Sequence, residues 1–402
     1  MGSAKLLGQW WFGRFRAELT SEGRVALSDA LNPPRRFVTI QGLSNLSGSD
    51  LALACFRAGM IGSTISSLPT PIDERPSSVE DPLFWQYPCR TEQFAFNAHR
   101  KKGVPGWDGR RLHLYLGLPW ATWIDKIRKG LGASQTQDAV RMQLRMASIR
   151  LSGIREVLAS IGVQLSVHTV CQHIYWRDFL CNWKEVGITD LWLSHCPDDH
   201  AGTAANINLH PWHLYAVNAE DRVLSEDLIP GRDPGDRKYL ASFIGAHSNH
   251  YIDRTRLEIV NVLKGDGFFV DLTDEWHLEK VVYEGQITGY DKSYDEDFMR
   301  RVSRYNKVLS DSVFSLCPSG AGANTIRLWE SLAVGAIPVL CGQLPKLPAI
   351  HHVEWEKIAI FWGTRDLRQL RSALDSVDLA RRRKMMSMGM DAYARVKAQL
   401  CF

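Results

Sequence analysis

The chain has 402 residues, of which 45% are hydrophobic and 23% charged, a composition typical of packed globular proteins and not of disordered ones. The length predicts two domains or slightly more. The formal net charge of +4 is small for this length, which argues against a dedicated DNA-coating protein and leaves room for a local basic cleft. The eight cysteines include no C-x-x-C pair, so we expect buried thiols in a reducing compartment.

The amino-terminal stretch MGSAKLLGQWWFGRFRAEL lacks the continuous apolar segment of a signal peptide. No run in the chain reaches the roughly 18 apolar residues that a membrane helix needs. The mixture of aromatic and basic side chains between residues 5 and 16 has two interpretations. It packs on the domain, or it rests peripherally on an anionic membrane surface.

Strand-like and helix-like segments alternate along the first half of the chain. RFVTIQ predicts a strand that leads through a glycine/serine loop into a helix, and RLHLYLGLP predicts a strand before a helix near WATWIDKIRKGL. The long amphipathic segment AVRMQLRMASIRLSGIREVLASIG ends at a glycine, as helices often do. VQLSVHTVC and ITDLWLSHC predict strands on either side of the helix WRDFLCNWKEVG. This alternation predicts a parallel sheet covered on both faces.

The alternation restarts after VNAEDRVLSEDLIPGRDPGDRKY, a polar, turn-rich stretch typical of a linker. LASFIGA, FFVDLT, SVFSLCPS and AIPVLCG predict strands, RTRLEIVNVLKGDG and EDFMRRVSRYNKVLSD predict helices, and the basic tail is helical. We therefore predict an α/β protein with an amino-terminal Rossmann-like domain at 1–225 and a linker at 226–238. A second domain would cover 239–375, and helices at 376–402 can pack back on the first domain.

The stretch CPSGAGANTIRLWESLAVGAIPVL contains a glycine-rich turn between a strand and a helix. Ligands of open α/β sheets bind at such strand ends, which places Ser319 and Gly320 at a possible anion site. Asn324 or Thr325 can cap the helix, whose free N–H groups favour an anion. Arg327 follows in the first turn of this helix, where a guanidinium can bind a phosphate. The sequence lacks both the P-loop lysine and the third glycine of a dinucleotide fingerprint.

Four segments occur here in the order in which exostosin-type glycosyltransferases have them: FIGAHSNHYIDRTR, YNKVLSDSVFSLCPSG, IRLWESLAVGAIPVLCG and LP. The chain resembles this family specifically over about residues 240–350. More weakly, TVCQHIYWRDFLCNWKEVGITDLWLSHCP with INLHPWHLYAVN is similar to bacterial members. The resemblance implies GT-B architecture, in which two Rossmann-like domains face a cleft and the second domain holds most of the nucleotide sugar.

The resemblance also implies roles for particular residues. Arg327 would contact the donor diphosphate and Glu330 the ribose. Arg256, or alternatively Arg254, would also face the phosphates, next to the strand that ends near Gly245. Two arginines can neutralise a diphosphate leaving group, so we expect no metal and no cofactor besides the nucleotide sugar.

The chain departs from the family in two respects. The usual basic residue near the glycine turn is absent, which leaves the donor open, and so is the membrane anchor of eukaryotic members. We therefore expect a cytoplasmic enzyme, with optional contact to the inner face of the membrane. The Asp-x-Asp of Asp295–Asp297 resembles a metal motif, yet it opens an amphipathic helix, where carboxylates are favourable.

The first domain should bind the acceptor and supply a base, because inversion requires a group that takes the acceptor hydroxyl proton. His195 and His173 follow predicted strands and lead the candidates, together with Asp198. His210, Gly42 and Ser44 are candidates for the acceptor side of the cleft, although GLSNLSGSD can equally be a simple exposed turn.

The sequence thus predicts an inverting transferase that moves a sugar, with UDP-sugar as the leading donor, to an oligosaccharide or lipid-linked glycan in surface polysaccharide synthesis. One alternative is a transferase that uses CMP-linked Kdo, which the pairs Gln172-His173 and His210-Pro211 faintly favour. Another is a non-catalytic glycan-binding or scaffold protein. Nucleic-acid binding through LARRRKMM is less favoured than a solvated helix face.

Overall fold

The computed structural model describes residues 6–12, 15–20, 24–29, 32–39, 85–102, 106–108, 110–130, 133–160, 162–196, 203–275, 278, 282 and 295–402. The strands in chain order are β1 (Leu6–Phe12), β2 (Phe15–Thr20), β3 (Arg24–Asp29), β4 (Asn32–Thr39), β5 (Gly106–Trp107), β6 (Arg111–Tyr115), β7 (Gln164–Cys171), β8 (Asp190–Leu193), β9 (Thr203–Ala204), β10 (Ile207–Pro211), β11 (Tyr239–Ala246), β12 (Phe268–Thr273), β13 (Ser312–Pro318), β14 (Ile337–Cys341) and β15 (Ile360–Gly363).

The described helices are α1 (Thr91–Lys102), α2 (Trp120–Lys129), α3 (Ala133–Ser160), α4 (Leu180–Val186), α5 (Val217–Glu220), α6 (Thr255–Val262), α7 (Glu296–Ser310), α8 (Ile326–Val334), α9 (Leu370–Asp375) and α10 (Leu379–Ala398). The described strands form three sheets. Their strand orders are β1-β2-β3-β4, β5-β6-β7-β8-β10-β9 and β12-β11-β13-β14-β15.

The first sheet corrects one prediction. The strand expected at RFVT is the end of β4, which pairs antiparallel with β3 in a four-stranded meander. It therefore does not open a parallel α/β unit. The loop that was expected to follow it, with Gly42 and Ser44, lies outside the described residues.

The second sheet is parallel from β6 through β7 and β8 to β10, with one antiparallel strand at each edge. Strand residues alternate between its two faces. One face packs on α2, α3 and α4 through a large apolar core that includes Leu114, Val167 and Trp183. The other face holds Tyr115, Val170 and Trp212 against α1 and the end of the chain. This face also carries the histidines described below.

The third sheet is fully parallel, and apolar residues cover both of its faces. The chain runs from β11 outward to β12 and then returns to β13 on the other side of β11. The strand order therefore reverses between β11 and β13, and the carboxyl ends of these two strands form a crevice. Ligands of open α/β sheets bind at such a switch point.

The two parallel sheets confirm the predicted α/β class, and they are consistent with the predicted GT-B architecture. The domain limits at 225, 238 and 375 stay predictions. Helix α10 packs on α8, and the chain then reaches the first parallel sheet, where the Cys401 backbone N–H donates to His99 on α1 at 3.1 Å.

All seven cysteines in the described part of the chain are free thiols, and only Cys181 among them is exposed. Burial raises the pKa of the Cys317 thiol to about 11, so this thiol stays protonated at neutral pH. Within the described ranges, no helix has both the length and the apolar character required to cross a bilayer.

Candidate functional site

The glycine turn lies at the carboxyl end of β13, at the switch point of the third sheet. Ser319 is buried, and its backbone N–H donates to Cys341 O at 3.1 Å. Gly320 donates its N–H to Gly322 O at 3.0 Å, which closes the turn. Thr325 occupies the N-cap position of α8, but neither its side chain nor that of Asn324 caps the helix. The predicted side-chain cap is therefore wrong. The first-turn N–H groups of α8 do not donate to the side chain of Thr325 or Asn324.

Arg327 and Arg256 both point to the end of β11. The Arg327 guanidinium donates to Ile244 O and lies between the rings of Phe243 and Tyr305, at 5.0 and 4.9 Å from their centroids. A β-carbon on Gly245 would stand 3.3 Å from Arg327 Nη2, so glycine leaves room for this guanidinium. The aromatic sandwich holds the charge in place at the switch point.

Arg256 connects β11 to the glycine turn. Its Nε donates to Ser319 O at 2.9 Å, and its Nη1 donates to Ala246 O at 2.7 Å. A β-carbon on Gly320 would stand 2.8 Å from Nη2, so the guanidinium lies directly against the turn. Burial lowers the pKa of Arg256 to about 10, and the charge of Arg327 adds to this lowering. Arg256 stays charged at neutral pH, and the repulsion between the two arginines favours a bound anion.

Arg254 was the alternative to Arg256, and the structure separates the two. Arg254 is exposed and occupies the N-cap position of α6, two residues before Arg256. Arg256 is therefore the arginine that contacts the glycine turn.

Asp253 is a site residue that the sequence analysis missed. Its carboxylate accepts hydrogen bonds from the Ser319 hydroxyl, from Thr255 N at 3.0 Å and from Gln343 N at 3.1 Å. These hydrogen bonds hold the pKa of Asp253 below its usual range, although burial opposes the lowering. One carboxylate thus joins the exits of β11, β13 and β14. The available signal was an aspartate just before a helix, where carboxylates cap free N–H groups.

Glu330 does not face a cleft. It is 2% exposed, and its two carboxylate oxygens accept hydrogen bonds from Asn218 N at 3.0 Å and from the Tyr305 hydroxyl at 2.7 Å. Burial raises the pKa of Glu330. The contact with a ribose stays a prediction, but this geometry favours a structural role that joins α8 to α5 and α7.

Asn324 joins the two parallel sheets and does not project into the glycine turn. Its Nδ2 donates to Ser194 O at 2.7 Å and to Trp212 O at 3.3 Å, and both acceptors lie at strand exits of the first domain. Its Oδ1 accepts from Trp329 Nε1 at 2.9 Å. The predicted donor contact stays a prediction, but here Nδ2 bonds across to the first domain and Oδ1 bonds to α8.

His195 lies just after β8 and faces the glycine turn across the two domains. A β-carbon on Gly322 would stand 2.7 Å from its Cε1. The Nδ1 atom is buried and has no hydrogen-bond partner among the described residues. Burial lowers the pKa of His195 to about 4, with the nearby His173 adding to the lowering, so its imidazole is neutral at pH 7. The structure therefore brings a neutral imidazole to the predicted donor turn.

His173 has both ring nitrogens in use. The backbone N–H of Tyr175 donates to Nδ1 at 3.0 Å, which leaves the proton on Nε2, and Nε2 donates to Asp125 at 3.0 Å. The sequence analysis missed Asp125, which lies on α2. Because the nitrogen that could accept a proton is occupied, His173 is a weaker base candidate than His195.

Asp198 and His210 were the other candidates in this part of the chain. Asp198 lies outside the described residues. His210 is in β10, where its Nε2 donates to Asp190 at 2.9 Å and its ring stacks on Trp192 at 4.3 Å. It is thus on the sheet face beside Trp192, and its place on the acceptor side of the cleft stays a prediction.

A chain of hydrogen bonds crosses the same sheet face. Trp192 Nε1 donates to His168 Nδ1 at 3.2 Å, and His168 Nε2 is 2.9 Å from His113 Nδ1. His113 Nε2 is in turn 3.1 Å from a carboxylate oxygen of Asp108. Burial lowers the pKa of His168 to about 4, so the ring is neutral. Since an indole only donates, every proton in the chain points from Trp192 toward Asp108.

The acidic motif at 295–297 is a helix start in the structure. The Asp295 side chain accepts from Phe298 N at 2.6 Å and caps α7, while Asp297 pairs with Arg300. No group of three or more possible metal ligands occurs in the part of the chain that the structure describes.

Residues 215–377 match the family model of the Exostosin GT47 domain. These residues are an exostosin GT47 domain. The match includes the switch point, the glycine turn and both arginines, and it confirms the family that the sequence motifs resemble.

Curated relatives resemble the chain over a short stretch. The chain is 35% identical to "Probable glucuronoxylan glucuronosyltransferase IRX7" of Arabidopsis thaliana over 78 residues, which is 19% of this chain and 17% of the relative. It is 32% identical to "Probable beta-1,4-xylosyltransferase IRX10" of the same plant over 73 residues, 18% of each chain. The chain thus spans less than a fifth of the length of these two relatives.

A solved structure of the pneumococcal O-GlcNAc transferase GtfA in complex with UDP and GlcNAc also matches. It has 10% identity and a TM-score of 0.26, and it covers 60% of this chain and 51% of that one. A similarity at this score supports no conclusion about this protein.

Proposed function

We propose that this protein is a glycosyltransferase that moves a sugar from a nucleoside-diphosphate donor to a glycan acceptor. The observation that carries the proposal is the pair Arg256 and Arg327. Arg256 is held against the glycine turn and Arg327 against the end of β11 at the sheet switch point, and a neutral histidine of the other domain lies across the turn. The exostosin GT47 match over the same residues supports this function.

The two arginines would bind the diphosphate of the donor. Arg256 uses Nε and Nη1 for the backbone, and Arg327 uses Nη2, so each guanidinium keeps further N–H donors for phosphate oxygens. Charge-assisted hydrogen bonds to phosphate are the strong kind, and they become stronger as negative charge develops on a leaving group. The arginines would therefore stabilise the departing diphosphate, and we propose that transfer needs no metal ion.

His195 would act as the base. In an inverting displacement the acceptor oxygen attacks the anomeric carbon, the bond to the diphosphate breaks with its electron pair on the phosphate oxygen, and the acceptor proton moves to His195. The buried Nδ1 atom, with no described partner, is the atom available to take it. A bound diphosphate raises the proton affinity of this ring, because a nearby negative charge favours the imidazolium.

The finer assignments follow the sequence and the relatives' names. UDP is the proposed nucleotide, and glucuronic acid and xylose are the first sugars to test, since relatives are named for their transfer. The proposed acceptor is a glycan or a lipid-linked oligosaccharide of a surface polysaccharide. The proposed location is the cytoplasm, with optional peripheral contact with the membrane.

Calorimetric titration with UDP, GDP and CMP tests the proposal. We expect UDP to bind most tightly, with and without EDTA. Arg327→Ala and Arg256→Ala should each weaken UDP binding about 10- to 100-fold, the effect of losing a charge-assisted bond of about 1.5–3 kcal/mol. Arg368→Ala, an exposed arginine paired with Asp366 in the same domain, serves as the matched control.

The outcomes separate the alternatives. Preferential binding of CMP contradicts a diphosphate donor, and loss of UDP binding in EDTA contradicts the role given to the arginines. Absence of nucleotide binding, together with binding of a glycan, contradicts the enzyme and supports a glycan-binding protein.

A further inference from the structure

The side-chain amide of Asn324 makes a fully hydrogen-bonded contact between the two domains. Asn324 is 4% exposed, and all of its polar atoms are bonded at 2.7, 2.9 and 3.3 Å. The indole of Trp329 can only donate, so it fixes Oδ1 as the acceptor and directs Nδ2 toward the first domain. The orientation of the amide therefore follows from its partners.

The acceptors of Nδ2 place this contact beside the proposed base. Ser194 precedes His195 in the chain, and its hydroxyl donates to His213 O at 2.8 Å. Trp212 directly follows β10, the strand next to β8. Asn324 thus holds the exits of β8 and β10 together at the point where His195 meets the glycine turn.

We propose that Asn324 is a positioning residue that fixes His195 against the glycine turn of the other domain. This inference rests on the proposed function. The amide does not contact the donor, because each of its donor and acceptor positions serves another part of the chain. Its effect reaches the reaction through His195, whose distance from the donor turn it sets.

Asn324→Asp is the sharpest variant, because it keeps the shape and the acceptor for Trp329 but places a second oxygen against the carbonyls of Ser194 and Trp212. Asn306→Asp is the matched control. Asn306 is fully buried in the same domain and donates to Leu224 O at 2.6 Å, away from the glycine turn. Both variants place a carboxylate against a backbone carbonyl, so both lose stability through the same repulsion between oxygens.

The first measurement needs no sugar donor. NMR titration of the histidine ring signals, with His195 assigned by comparison with His195→Gln, gives the pKa of His195. In the wild type we expect a depressed value, because the ring is buried at the contact. In Asn324→Asp the pKa should rise by at least one unit, because the new carboxylate favours the imidazolium and water reaches the ring, while Asn306→Asp leaves it unchanged. The neutral variant Asn324→Leu adds no charge, so a rise in the pKa of His195 in this variant reports displacement of the ring alone. An unaltered pKa of His195 in folded Asn324→Asp overturns the proposal.

The second measurement separates positioning from donor binding. We expect UDP affinity in Asn324→Asp to stay within about threefold of the wild type, because Arg256 and Arg327 are untouched. Release of UDP from UDP-glucuronic acid and UDP-xylose should fall at least tenfold in kcat with KM for the donor little changed. Loss of UDP affinity as large as that of Arg327→Ala would instead make Asn324 a donor ligand and overturn the proposal.

The two proposals fail in different ways. If the wild type binds none of the nucleotides, the proposed function fails, while the NMR result still reports on the Asn324 contact. If the wild type binds UDP and releases it from a sugar donor, but Asn324→Asp does so at the wild-type rate, only the positioning role fails.

Discussion

The imidazole of His195 occupies the space that a side chain on Gly322 would fill. A β-carbon there would stand 2.7 Å from Cε1 and 2.9 Å from Cγ of the ring. The residue in the turn of one domain and the residue after a strand of the other are therefore fitted to each other. This contact relates the proposed donor site to the proposed base.

Gly322→Ala should displace His195 without removing any phosphate ligand. We expect kcat for donor turnover to fall at least tenfold, with UDP affinity within about threefold, since misplacement of a catalytic group by an ångström is costly. Gly153→Ala is the control, because Gly153 lies in α3 with open space around it and alanine favours a helix. Full activity of Gly322→Ala contradicts the role of His195.

Glu330 should matter for stability more than for nucleotide binding. Glu330→Ala leaves the Tyr305 hydroxyl and the Asn218 N–H without their acceptor, and buried unsatisfied groups cost about 1–3 kcal/mol each. We expect the free energy of unfolding in urea to fall by about 2–4 kcal/mol. Tyr305→Phe should cost less, since it removes one bond. If Glu330→Gln keeps the stability but loses UDP affinity tenfold, the ribose contact predicted from the sequence is correct.

Glu92 should make stability fall as pH rises. This carboxyl, at the start of α1, accepts from the backbone N–H groups of Ala121 and Gln172, and burial raises its pKa to about 8. A raised acid pKa contributes stability that is fully present below the ordinary value of 4.5 and is lost as pH rises through about 8.

Urea unfolding of the wild type between pH 6.5 and 8.5 should therefore show a loss of stability, at up to about 1.4 kcal/mol per pH unit. Glu92→Gln should remove this slope, because it cannot ionise, whereas the exposed Glu156→Gln should retain it. An equal slope in Glu92→Gln and the wild type would mean that another group titrates.

Asp295 should act as a helix cap. Asp295→Ala removes the acceptor for Phe298 N and should lower stability by about 1 kcal/mol while UDP binding persists. Asp297→Ala, which affects surface pairs with Arg300 and Arg301, should change stability by less than about 0.5 kcal/mol. Manganese-dependent activity that disappears in Asp297→Ala would show that the Asp-x-Asp motif binds metal.

The sequence predicted the parallel sheets well, because their signals are local. FFVDLT, SVFSLCPS and AIPVLCG are apolar runs bounded by turns, and each became a strand of the third sheet. β15 and the pair β9 and β10 were not predicted. β9 has only two residues, and Asn208 and His210 interrupt the apolar pattern of β10. The antiparallel meander was missed because the alternation read from later segments was extended to the start of the chain.

The site residues likewise differ in how far the sequence alone could place them. Arg327 could be placed because it follows a glycine turn at a strand end, and Arg256, with Arg254 as the alternative, because the resemblance to the exostosin family implied it. The partners of Asn324 and Glu330 could not, because Ser194, Trp212 and Asn218 are distant in sequence and meet these side chains only when the domains pack. A polar residue beside a glycine turn suggests a ligand, and only the folded contacts show that the partner is the protein.

The hydrogen bonds from Trp192 through His168 and His113 to Asp108 form a chain in which every group donates in the same direction. No member can reverse its donor and acceptor alone, because the indole at one end cannot accept. The proton of the buried His168 therefore lies on Nε2, and that of His113 faces the carboxylate of Asp108. An indole on the neighbouring strand thus selects the tautomer of a buried ring.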